Sequence, residues 1–121
     1  MKAFIGAVTV LALLLAGVVL SSAAGIGRVE EYLEALPTDE TPLTEAAEVL
    51  KELQERAEDD LSLWNALFPH ATADALLSAL ARTEAAARGG SREEYAIQLA
   101  EVRAQLSDMR RDLTPHPSDL W

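Results

Sequence analysis

The uncharged run AFIGAVTVLALLLAGVVL at positions 3–20 limits what this chain can fold into more than any other feature. About 20 apolar residues cross a bilayer core as a helix, and the uncharged stretch continues through Gly27. Buried inside a soluble protein, such a helix would need apolar neighbours on every side. A chain of 121 residues has too little else to supply them. The run therefore reads as a transmembrane segment contacting the lipid bilayer through residues 3–26.

Two fates fit it. Ser22-Ala23-Ala24 has the small residues of a secretory cleavage site. The apolar run is longer than the usual signal core of about 7–15 residues, which favours an uncleaved signal anchor. Lys2 and the amino terminus stay inside in both cases, and the remainder crosses. The expected domains are a membrane anchor at 1–27 and an extracytoplasmic domain at 28–121, with a cleaved, secreted domain as the alternative.

Charge sharpens this division. All 20 acids follow residue 27, against nine of the ten bases. An acidic surface argues against nucleic acid and against anionic lipid headgroups, which both recruit Lys/Arg patches. Positions 28–60 hold 12 of the acids and three bases, so the half next to the anchor in sequence should repel anionic surfaces. The chain has no cysteine, which excludes disulfides and thiolate metal sites.

Periodicity beyond Gly27 is helical throughout. Val29, Tyr32, Leu33 and Leu36 make one apolar stripe, ended by Pro37, with Gly25-Ile26-Gly27 as a hinge to the anchor. Thr41-Pro42 reads as a capped helix start. Leu43, Ala47, Leu50, Ala57, Leu61, Trp64 and Phe68 then predict one long helix ending at Pro69. Thr72 or Asp74 should cap the next, which carries Leu76, Leu77 and Leu80 and stops at Gly89-Gly90. Ser91 and Glu94 form a capping box. Tyr95, Leu99, Val102, Leu106, Met109 and Leu113 follow as a seam that calls for a neighbouring helix. No stretch alternates with period two. The expected fold is all-α: an N-terminal transmembrane helix followed by a three-helix antiparallel bundle, a stack of helical hairpins.

In its order of features the chain resembles the bacterial domain of unknown function family 4363. The membrane-entering start, the acidic helix bearing Trp64 with His70 beyond it, and Asp74 opening Leu76-Leu77-Ser78-Ala79-Leu80-Ala81-Arg82 carry the resemblance. So do Glu94-Tyr95-Ala96, Leu99-Ala100-Glu101-Val102 and the Ser118-Asp119-Leu120-Trp121 ending. The resemblance implies a small membrane-anchored helical protein and supplies no catalytic residue. This chain is richer in alanine and arginine than the Lys/Ile/Glu-rich pattern of that family.

Catalytic chemistry finds no foothold in the residue pattern. His70 and His116 both adjoin prolines, and no His-x-x-x-His spacing sets two metal ligands on one face. Glu55, Glu58, Asp59 and Asp60 read as a solvated helix face, without the central glycine of a calcium loop. There is no nucleophile elbow and no phosphate-binding glycine loop. No enzyme, metal or cofactor is expected. The candidate interaction residues are Trp64, Phe68, His70 and Trp121. The first two sit on apolar stripes, where a core role is the more frequent one. The expected function is a non-catalytic interaction module of the cell envelope, binding an envelope protein or a second copy of itself. The alternative is a secreted domain that binds a cation or cationic peptide.

Overall fold

A computed structural model describes residues 2–114, with side chains at 6–16 and from 23 onward. Among the described residues five helices follow in order: α1 Lys2–Ala35, α2 Leu43–Asp59, α3 Leu61–Leu67, α4 His70–Arg88 and α5 Arg92–Leu113. Among the described residues there is no strand, so the all-α expectation holds.

The bundle has four staves where three were expected. The additional stave is the C-terminal part of α1, from Gly25 on. It packs along α5, α5 packs on α4, α4 packs on α2, and α3 closes the ring against α1 and α4. Every neighbouring pair runs antiparallel. Arg88 meets Glu48 and Gln54 meets Glu84 between α2 and α4. Arg82 meets Glu101 between α4 and α5. Tyr95 reaches Thr38 at one end of the α1–α5 pair, and Leu113 lies against Gly25 at the other. The reason for the fourth stave is the α5 seam. Tyr95, Leu99, Val102, Leu106 and Met109 are all buried, and α4 alone leaves one side of that seam open. The stripe Val29, Tyr32 and Leu36 covers it. The apolar seams are thus satisfied within one chain.

Gly25 and Gly27 form no hinge, because α1 runs unbroken through both. Gly25 is instead the point where α1 enters the bundle. A Cβ there would lie 2.9 Å from Leu113 Cδ1 and closer still to Leu67 Cδ1. Gly27 has open space around it.

The helix expected over 43–68 is interrupted at Asp60, whose dihedrals (φ −88°, ψ 7°) fall in the sparsely used bridge region. The main-chain ladder still spans the break. Asp60 N–H donates to Arg56 O at 2.9 Å, and Trp64 N–H donates to Asp60 O at 3.0 Å. No glycine or proline marks this position, and what distinguishes it is tertiary: its carboxylate meets Tyr32 across the bundle.

Helix caps divide between those found as expected and those displaced. Ser91 Oγ accepts from Glu94 N–H at 3.3 Å, giving half of the capping box. Glu94 Oε1 instead accepts from Gln98 Nε2. Gly90 takes φ +76°, the left-handed stop after α4. Thr41 does not cap α2. Its hydroxyl accepts from Thr38 N–H at 2.9 Å within the preceding loop. Neither Thr72 nor Asp74 caps α4, which begins at His70 directly after Pro69 and has no side-chain cap. Proline fixes the dihedral at that start without one.

Candidate functional site

Two regions stand out: the apolar part of α1 outside the bundle, and the aromatic and ionic cluster where α1 enters it. From Gly6 to Ala16 every side chain is exposed, as are Ala23 and Ala24. Val8, Val10, Leu11, Leu13, Leu14 and Leu15 each present between half and two-thirds of their surface. A run of large apolar side chains this exposed is unusual on a soluble monomer. Among the described residues, no helix is long and apolar enough to cross a membrane.

Among the described side chains of α1 burial begins at Gly25, directly after Ser22-Ala23-Ala24, and about two helical turns further in lies the cluster around Tyr32. Tyr32 is fully buried on α1, and Trp64 on α3 meets its ring edge-on, with centroids 5.5 Å apart. Phe68 lies 6.2 Å beyond Trp64. Such pairs add about 0.5–1.5 kcal/mol to the area they bury. Tyr32 Oη donates to Asp60 Oδ2 at 2.8 Å, and Arg28 Nε approaches the same oxygen at 3.8 Å. Burial raises the Tyr32 phenol above its ordinary range, and the hydrogen bond to Asp60 and that carboxylate's charge raise it further. The Trp64 indole N–H is buried without a partner among the described residues. Everything in this cluster rigidifies the α1–α3 contact. A tyrosine held neutral by a carboxylate acts as a structural clasp.

The opposite end of the bundle is tied by α5. Tyr95 Oη donates to Thr38 O at 2.9 Å and Arg92 Nη1 to Asp39 O at 2.6 Å, fixing the α1–α2 loop. Burial, and then the nearby charge of Asp39, raise the Tyr95 phenol. On the α2–α4 face, burial alone would raise the Glu84 carboxyl. Hydrogen bonds from Arg88 and Gln54, with the charges of Arg88 and Lys51, outweigh that and hold it below the usual carboxylate range.

An open groove of about 650 Å³ runs between α4 and α5 over Ala75, Ala79 and Ala104, with Asp74, Arg82 and Glu101 on its walls. Arg82 is taken up by Glu101 at 3.7 Å and Gln98 at 3.3 Å. Among the described residues no group of three or more His, Asp or Glu side chains could hold a metal ion.

Of the residues singled out from the sequence, Trp64 and Phe68 are brought together inside the bundle. Trp64 and Phe68 are buried in the core, so neither offers a surface to a partner while the bundle is intact. His70 is exposed at the start of α4. Trp121 and His116 lie outside the described residues. The residues missed were Gly25, Arg28 and Asp60. Gly25 had a legible signal, since Gly25, Val29, Tyr32 and Leu36 continue one stripe at gaps of four, three and four. Asp60 had none, lying in a run of acids that reads as solvated surface. Compared with known proteins, the chain matches no family model, no curated protein and no solved structure.

Proposed function

We propose that this protein is a non-catalytic helical module tethered to the bacterial cell membrane by residues 3–24, Gly25 and Ile26 of the expected 3–26 span belonging to the bundle, with its amino terminus inside and its bundle outside. The observation that carries this reading is α1 itself. One continuous helix passes from exposed valines and leucines to a fully buried Val29 and Tyr32. The described side chains of its first part are exposed, and its last part is a stave of the core. Lipid satisfies the first part, and all 20 acids remain beyond it in water. The resemblance to domain of unknown function family 4363 implies the same plan. Binding of an envelope partner, or of a second copy, would fall to the outward faces of α2, α4 and α5, because the apolar seams are filled.

A second reading, release as a secreted bundle, is favoured by one observation: the core starts at Gly25, just past the cleavable Ser22-Ala23-Ala24. Expression of the full chain in a bacterium tests both. The tethered form should sediment with membranes at its full mass and expose its bundle to protease added outside. A mature chain lacking residues 1–24 in the medium or periplasm would favour secretion. Full-length chain dissolved in the cytoplasm would reject both.

A further inference from the structure

The cleavable motif and the bundle meet at one peptide bond. Ser22-Ala23-Ala24 ends at Ala24, so processing there would split the Ala24–Gly25 amide. In the folded protein that bond lies inside α1, which is helical from Lys2 to Ala35 without a break. Ala24 is exposed, and Gly25 is buried against Leu67 and Leu113. Val29 and Tyr32, one and two turns further on, are fully buried. A peptidase cuts a segment that has opened from regular structure. Opening this one breaks the helical hydrogen bonds around residue 25 and draws Gly25 out from between the two leucines.

The order of the chain decides when that protection arises. α1 is held chiefly by α5 and then by α3, and Leu113 is the last residue of α5. Synthesis at about 5–20 residues per second needs roughly 4–18 s to pass from Gly25 to Leu113. Throughout that interval α1 lacks the seam that covers it. Building on the reading of residues 22–24 as a cleavage site, we propose that docking of α1 into the bundle shields the Ala24–Gly25 bond from signal peptidase. Folding then fixes the tethered form, and only a chain met before α5 docks is released. The reaction itself is hydrolysis: water adds across the amide, leaving a carboxylate on Ala24 and an amine on Gly25. Tether and release become two outcomes of one race.

The full-length chain, made by cell-free synthesis in detergent, and a synthetic peptide of residues 3–30 are each treated with purified bacterial signal peptidase in that detergent. Cleavage after Ala24 is followed by mass. The peptide carries the site without the bundle and should be cut roughly tenfold faster than the folded chain, or more. Leu67→Ala with Leu113→Ala relieves the packing on Gly25 and leaves the site unaltered. It should speed cleavage of the full chain about fivefold or more while circular dichroism keeps the bundle's helicity. Gly27→Ala strengthens the helix beyond the site and should slow cleavage about two- to fivefold; it decides the matter if the double variant fails to fold. Equal rates for peptide and folded chain overturn the shielding and leave the cleavage reading intact. A folded double variant cut no faster than the wild type also overturns it, as does Gly27→Ala cut at the wild-type rate. A peptide that is not cut overturns the release reading and the shielding with it.

Discussion

Tyr32 shows how one side chain can bind an element into the core and also set a limit on stability. Its phenol is raised by burial and then by Asp60, so the neutral form is the folded form. Such a group supports folding fully below its unfolded value, near pH 10. Its contribution falls by about 1.4 kcal/mol per pH unit above that, because only the unfolded chain can ionise it. Tyr95 is raised in the same direction. The bundle should therefore lose its helical circular dichroism together with the appearance of tyrosinate absorbance as pH rises past about 10. Tyr32→Phe should cost about 1 kcal/mol near neutrality through the lost hydrogen bond, and the deficit should shrink in alkaline solution. A deficit that stays constant with pH would show that Asp60 and burial do not hold the phenol as described. Tyr32 was legible as an apolar-stripe residue, but its partner was not, because Asp60 lies 28 positions away.

Among the helices, α1 is the one whose two ends live in different surroundings. Its two late glycines, close in sequence, should respond oppositely to substitution. Gly27 is exposed with room for a side chain, so Gly27→Ala should stabilise the bundle by about 0.5–1 kcal/mol through helix propensity. Gly25 is pressed between Leu67 and Leu113. There the larger Gly25→Val should cost about 1–3 kcal/mol by overpacking. Thermal denaturation of the two variants checks the contrast, and a neutral Gly25→Val would mean that the Leu67 and Leu113 side chains swing aside to admit it. Element boundaries were readable where backbone chemistry writes them, as at Gly89-Gly90 and Ser91. They were not readable at Asp60, where the break coincides with a contact from another helix. The start of α4 came earlier than expected because Pro69 alone suffices for it.

At the scale of the whole molecule, the chain divides at Gly25. Every described side chain from Gly6 to Ala24 is exposed, so removing residues 1–24 deletes no buried contact among them. A chain of residues 25–121 should unfold in one cooperative transition, with a Tm within a few degrees of the full protein's bundle in detergent. A fragment that is molten or unfolded would show that the apolar segment belongs to the core. The same division bears on charge. The sequence half nearest the anchor is the most acidic, yet the antiparallel staves return the ends of α3 and α5 to the anchor and carry the 34–48 carboxylates away.

Local pattern alone determined that the chain is helical, that its apolar and acidic residues are segregated, and where its glycine and serine turns fall. Those properties depend on neighbours within four residues, and such spacing is written in the order of the side chains. Only the tertiary structure decided that α1 supplies a fourth stave, that Asp60 faces Tyr32, and that Trp64 and Phe68 are interior. Each of those depends on residues tens of positions apart, brought together because the α5 seam had to be covered on both sides.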